Sequence, residues 1–199
     1  MTETNRSVEF FDAQFRKQVE GGQFELNPFE RAALPFLAGR VLDLGCGLGN
    51  LSLEAARRGC EVTAVDASAA AIERISAAAA RERLRVAARR ADLGSYKAAG
   101  EYDTVVAIGL VMFFPCPAAE RLLGEIRGSV APGGRAIVNT LIAGTTWMDP
   151  FELENFCLLE ENALERGFAG WQILLAKREE FPAPGNTLKR FETVIAQRP

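Results

Sequence analysis

Short runs of contiguous apolar, often β-branched residues alternate along this chain with stretches where apolar residues return every three or four positions. The runs fall at 40–44, 61–66, 84–88, 102–108 and 135–141, the third being the weakest. Val41, Leu42 and Leu44 leave no polar face, so the first run reads as a strand covered on both sides. The stretches between the runs read as helices. Leu51, Leu53, Ala55 and Ala56 face inward on one that Gly49 or Asn50 caps and Gly59 ends. Ile72 and Ile75 do so on a helix capped by Ser68, and Leu122, Leu123, Ile126 and Val130 on one opened by Pro117. Ala131-Pro132-Gly133-Gly134 reads as a tight turn before the fifth run. Strands alternating with helices in this way predict a parallel sheet with helices on both faces.

Both ends depart from that rhythm. Phe11, Phe15 and Val19, with Phe10 beside them, form one apolar stripe on a helix over 8–20 that Gly21-Gly22 ends. Asn27-Pro28 opens a second helix running to about Leu37. In the tail, 171–177 and 188–197 are strand-like and joined by a loop at 182–186, which predicts an antiparallel hairpin on the sheet's last edge. The expected fold class is therefore α/β: a doubly wound, mostly parallel seven-stranded sheet with a C-terminal antiparallel hairpin. No linker or repeat divides residues 1–199, so a single domain is expected.

The chemistry begins where the first strand ends. Gly45, Gly47 and Gly49 follow Asp43 at alternate positions, where a strand passes into a helix. Glycine suits such a junction because it tolerates positive φ and lets a ligand lie against bare backbone. The spacing is G-x-G-x-G rather than the dinucleotide fingerprint G-x-G-x-x-G, which disfavours a nucleotide-dependent oxidoreductase. Asp66 ends the second strand, roughly 20 residues on, where a carboxylate meets ribose hydroxyls. Either spacing implies an adenosine-bearing ligand. The stretch lacks the Lys-Ser or Lys-Thr of a P-loop, and Asp43 would repel phosphate and attract a cation. Adenosine at one end, with an amino acid and a sulfonium at the other, describes S-adenosylmethionine.

Composition narrows the partners. With 48% apolar and 25% charged residues over 199 positions, the chain can build one full core. A net charge of −3 and a pI near 5.3 supply no basic field for nucleic acid, so the arginines at 81, 83, 85, 89 and 90 read as a solvated face. Residues 1–9 are polar and mixed in charge, unlike a signal peptide, and no apolar run nears the roughly 20 residues that span a bilayer. Cys46, Cys60, Cys116 and Cys157 are widely spaced with no CxxC pair, so reduced, packed thiols in a cytoplasmic protein are expected. Histidine is absent, which removes histidine bases, histidine metal ligands and Ser-His or Cys-His nucleophiles, and no metal is expected.

Taken together, 40–141 resembles the class I S-adenosylmethionine-dependent methyltransferases, whose fold is Rossmann-like. Its first motif matches 41–50, its second 62–68, its third Ala91-Asp92-Leu93, and later ones 102–108 and the Pro132-Gly133-Gly134 turn. The resemblance implies that Gly45, Cys46 and Gly47 pass the methionine moiety and that Asp43 lies near its ammonium. It implies Asp66 at the ribose, Asp92, Leu93 and Ile72 at the adenine, and Ala67 and Ile108 among the other cofactor-binding residues. It also implies S-adenosyl-L-homocysteine as product, an N-terminal helical lid (1–38), a cofactor core (39–141) and a substrate loop with the hairpin (142–199).

Leu110-Val111-Met112-Phe113-Phe114-Pro115, on the rim after the fourth strand, resembles the small tellurite-resistance methyltransferases, as do Trp171 and the run 190–196 in outline. That family carries a His-containing stretch in its hairpin; here 176–186 has none, and Arg190 is the basic residue on the last strand. The acceptor implied is a small molecule, a chalcogen oxyanion or a thiol, in a pocket walled by Phe11, Phe15, Met112, Phe113, Trp147 and Arg190. A soft anion needs no base. A hydroxyl or ammonium does, and Asp149, Glu152, Glu154 and Glu180 are the carboxylates at hand, each also readable as surface charge, so no catalytic residue is assigned. A non-catalytic S-adenosylmethionine-binding module is the competing reading, and a monomer or weak homodimer is expected.

Overall fold

Seven strands join in one sheet in the order β3-β2-β1-β4-β5-β7-β6. They are β1 (Arg40–Leu44), β2 (Glu61–Asp66), β3 (Val86–Arg90), β4 (Tyr102–Ile108), β5 (Val130–Leu141), β6 (Gln172–Ala183) and β7 (Thr187–Gln197). The helices are α1 (Arg6–Glu20), α2 (Pro28–Ala33), α3 (Asn50–Arg57), α4 (Ala69–Glu82), α5 (Cys116–Ser129) and the short α6 (Ala163–Arg166). The computed structural model describes residues 6–22, 24–149, 151 and 155–199. Among them no helix is long and apolar enough to cross a membrane.

β1 to β5 pair in parallel, and β7 runs antiparallel between β5 and β6. The expected architecture, hairpin included, is the one observed. Leu42, Val105, Val138 and Val194 enter the core on one face of the sheet, and Val41, Val62, Val106 and Ile195 on the other. That is why the central runs carry no polar alternation. Leu42 is fully buried, a contribution of about 2 kcal/mol for one such side chain.

Three boundaries differ from the sequence pattern. β3 begins two residues later than expected, because pairing with β2 runs from Val62↔Val86 to Asp66↔Arg90. As an edge strand it accommodates Arg89 and Arg90, which an apolar pattern passes over. Val130 does not close the helical face of α5; it opens β5 opposite Tyr102. The Pro132-Gly133-Gly134 segment is likewise no separate turn but an irregularity inside β5, where pairing jumps from Tyr102↔Val130 to Thr104↔Arg135. Gly133 there has φ +76°, and a Cβ on Gly134 would come within 2.9 Å of the carbonyl oxygens of Ala131 and Asp103.

The cysteines give a larger correction. Cys46 and Cys60 are free and buried, but Cys116 and Cys157 form a disulfide rather than standing as reduced thiols. The fold lays the segment around Cys157 beside the 3-10 turn Val111–Phe113, with Cys157 N–H donating to the Met112 carbonyl at 3.1 Å. The two Cα atoms then stand 4.8 Å apart, within bonding reach.

Candidate cofactor-binding site

The site lies at the carboxyl ends of β1, β2 and β4, where an open α/β sheet holds ligands. Gly45, Gly47 and Gly49 have φ of +68°, +52° and +72°. Gly49 has a second reason to be glycine: a Cβ there would sit 2.4 Å from Ile75 Cγ1. The turn is tied to the neighbouring strand, since Gly45 N–H and Cys46 N–H both donate to the Val65 carbonyl, at 2.8 and 3.2 Å.

Three acids border the turn. Asp43 is buried and accepts the Ser52 hydroxyl at 2.6 Å. Asp66 accepts Gly47 N–H on one oxygen at 2.8 Å and Ser68 N–H on the other at 2.9 Å. Asp92, exposed, accepts Gly94 N–H at 3.0 Å and the Ser95 hydroxyl at 2.7 Å. All three line one cleft of about 1590 Å³. Single small-molecule sites run to roughly 1,000 Å³, so this cleft has room for a cofactor and a second molecule.

Among the expected cofactor residues, Gly45, Cys46, Gly47, Ala67, Leu93 and Ile108 line this cleft with the acids. Ile72 does not; it packs with the apolar cluster between the sheet and α3 and α4. On the acceptor side Phe11, Phe15, Met112, Phe113 and Trp147 are brought together. α1 lies across the opening: the Phe11 and Phe113 rings are 5.0 Å apart, a Cβ on Gly47 would be 3.2 Å from the Phe15 ring, and the Ser68 hydroxyl donates to the Asp12 carboxylate. Arg190 is not part of the wall. Strand alternation turns it away, where its guanidinium donates to Glu180, Glu161 and the Ala143 carbonyl at 2.8 to 3.1 Å. Its neighbours Lys189 and Phe191 line the cleft instead. Among the suggested bases, Glu180 is held in that ion pair and Asp149 is exposed outside the cleft lining; Glu152 and Glu154 lie outside the described residues.

Sequence reasoning missed Glu30, Asn139 and Lys189, all in the lining. Glu30 carried a readable signal, the capping box Asn27-x-x-Glu30. Asn27 Oδ1 accepts Phe29 N–H and Glu30 N–H, and Glu30 Oε2 accepts Asn27 N–H at 2.7 Å. Glu30 adds a carboxylate whose charge acts on Asp43. Burial raises the pKa of Asp43 to about 7, against the Ser52 hydrogen bond and with help from the Glu30 and Asp66 charges. Burial also raises Asp66, against the amides of Ser68 and Gly47, and raises Glu30. The Cys46 thiol is pushed well up by burial and then by Asp43 and Asp66, so it is no nucleophile. A buried acidic floor with hydroxyl-accepting oxygens fits a cationic ligand bearing a cis-diol.

A family model described as a methyltransferase domain matches residues 41–134. The fold that carries this match is the one seen in solved methyltransferases. Haemophilus influenzae TehB, described as a probable S-adenosyl-L-methionine-dependent methyltransferase, is 25% identical over 80% of this chain and 57% of that protein. Its crystal structure superposes with a TM-score of 0.77 at 20% identity, covering 92% of this chain and 65% of that one. Hemagglutinin 1 of Eikenella corrodens is 28% identical over 80% of this chain and 55% of its own length. The chain thus spans little more than half the length of these two curated relatives. N-methyltransferase NodS of Bradyrhizobium japonicum, solved with S-adenosyl-L-homocysteine, superposes with a TM-score of 0.72 at 14% identity over 98% of this chain and all of that one.

A pH dependence follows from Asp43. Its folded pKa lies above its ordinary 3.8, so its contribution to the stability of the empty protein is complete below about pH 4 and is lost as pH rises through about 7. An ammonium beside it reverses the preference. S-adenosylhomocysteine affinity is therefore expected to fall by up to about tenfold per pH unit below about pH 7, with proton release on binding near that pH. Calorimetry in buffers of different ionisation enthalpy measures both. Flat affinity and no proton release from about pH 5.5 to 8 would place the ammonium away from Asp43.

Proposed function

We propose that the protein transfers the methyl group of S-adenosylmethionine to a small anionic acceptor, a chalcogen oxyanion or a thiolate. The observation that carries this reading is Lys189. Its Nζ lies 3.7 Å from the Trp147 ring centroid in the half of the cleft beyond the acids. Burial lowers its pKa, partly offset by Asp149. A cation against aromatic walls suits a compact anion, and the rings keep water from the reacting atoms.

In this reading Asp43 and Glu30 hold the ammonium, Asp66 the ribose diol and Asp92 the adenine amine. The bound sulfonium supplies an activated methyl group for in-line displacement. The chain then has to place the acceptor on the sulfonium axis, which falls to Lys189, Met112 and Phe113. An anionic acceptor brings its own electron pair, which agrees with the lack of histidine and of any assigned base. Residues 1–38 would serve as a lid, 39–141 as the cofactor core, and 142–199 as acceptor loop and hairpin, in a monomeric or weakly dimeric enzyme that takes neither nucleic acid nor membrane as partner.

The test is radiolabelled methyl transfer to tellurite, selenite, a thiol, catechol and an amine. Transfer is expected to the first three, and Lys189→Met should raise their KM about tenfold with S-adenosylhomocysteine affinity unchanged, the scale of one half-buried hydrogen bond to a charged group. Transfer only to the amine, or tight cofactor binding with transfer to nothing, would overturn the proposal.

A further inference from the structure

Asn139 is a polar side chain that directly follows an apolar run of β5. It follows Ala136-Ile137-Val138 on β5 and is fully buried at the floor of the cleft. Its side-chain NH2 donates to the Thr193 hydroxyl across the β5–β7 pair at 2.8 Å, and its backbone carbonyl accepts Gly109 N–H at 2.9 Å. Among the described residues Asn139 Oδ1 has no hydrogen-bond partner. Asn139 lines the cleft and Thr193 does not, and the unengaged Oδ1 lies shielded from solvent just beneath that lining.

Packing does not account for this residue, since a Val or Leu would fill the position without a buried oxygen left unpaired. Position indicates the partner. Asp43 and Asp66, which face the cofactor, stand on β1 and β2, whereas Asn139 lies beyond β4, between Ile108 and Thr193 and on the side of Lys189 and Phe191.

We infer that Asn139 is a specificity-determining residue: Oδ1 accepts a hydrogen bond from an N–H or O–H of the methyl acceptor. Within the anionic class it favours acceptors that still carry a hydrogen on oxygen, such as a protonated oxyanion, over bare thiolates. This rests on the methyltransferase reading above and narrows its acceptor class. The bond orients the acceptor; the amide takes no proton.

Phenol and fluorobenzene serve as probes, matched in shape to the aromatic walls and differing in one donor. Each is titrated by calorimetry into the protein with and without S-adenosylhomocysteine. The unsubstituted protein is expected to prefer phenol by about tenfold, the scale of one hydrogen bond completed in a dry site. Asn139→Leu should abolish the preference with S-adenosylhomocysteine affinity unchanged, and Asn139→Asp, which keeps an acceptor oxygen, should retain it. Equal affinity for the two probes, binding of neither, or an Asp variant that behaves like the Leu variant would each overturn the assignment. Failure of S-adenosylhomocysteine to bind would sink the methyltransferase reading alone, because the titrations without it still decide the role of Oδ1. Melting curves of both variants establish that each is folded.

Discussion

Asp66→Ala is expected to weaken S-adenosylhomocysteine binding by about 100-fold, on the order of 3 kcal/mol. Two losses combine. The ribose hydroxyls lose their charged acceptor, and the amides of Gly47 and Ser68, both anchored on this carboxylate, lose the group that holds the turn open for the ligand. Stability should change much less. Burial outweighs the two amide bonds and leaves the pKa of Asp66 raised, so the ionised carboxylate is held at a cost in the empty protein. A residue expensive to the free fold and necessary to the complex is what a binding role predicts. Calorimetric titration measures the first effect and thermal melting the second. Asp66→Asn, which keeps one acceptor oxygen, should fall between the parent and the alanine variant. Unchanged affinity in the alanine variant would mean that another group holds the ribose.

Reduction of the Cys116–Cys157 bond is expected to destabilise the protein by about 4 kcal/mol. The bridged residues are 41 positions apart, and closing a loop of that length removes about that much entropy from the unfolded chain. For a chain of this size the loss corresponds to roughly 8–16 °C in Tm. The bond also fastens the acceptor wall. Cys116 opens α5 directly after the 3-10 turn that presents Met112 and Phe113, and Cys157 bonds back to Met112. Acceptor KM should therefore rise on reduction, with cofactor affinity nearly constant. Cys116 is exposed, so a small thiol reaches the bond from that side. Melting curves with and without dithiothreitol, alongside a Cys116→Ser/Cys157→Ser variant, test both statements. Equal melting points would show that the bridge does not constrain the unfolded chain.

The parallel half of the sheet was readable because its strands are buried on both faces and their burial is written as contiguous Val, Ile and Leu. β2 and β4 came out at their observed limits for that reason. β3 slipped because its extent is set by its partner, not by its own apolar residues, and Val130 slipped because a helix exit and a strand entrance both bury a valine. At the site, Asp43, Asp66 and Asp92 were legible through their fixed relation to strand ends. Arg190 was misplaced by a parity that only pairing with β5 and β6 decides: one step along β7 exchanges the cleft for solvent and gives the role to Lys189. The Cys116–Cys157 pair depends on two segments whose proximity no local spacing encodes. Asn139 carries no sequence signal, because a lone asparagine at a strand end is more often a turn residue than a ligand.

The strand order has a consequence for how the molecule comes into being. β7 lies between β5 and β6, with hydrogen bonds on both of its edges, yet it follows the other six described strands in sequence. While the polypeptide is being made, the β5 edge stays open and its valines and isoleucines stay uncovered on that side until residue 197 has left the ribosome. A nascent chain halted anywhere in β6 would hold a nearly complete nucleotide half beside an unpaired, apolar strand edge, the kind of surface that recruits chaperones or neighbouring chains.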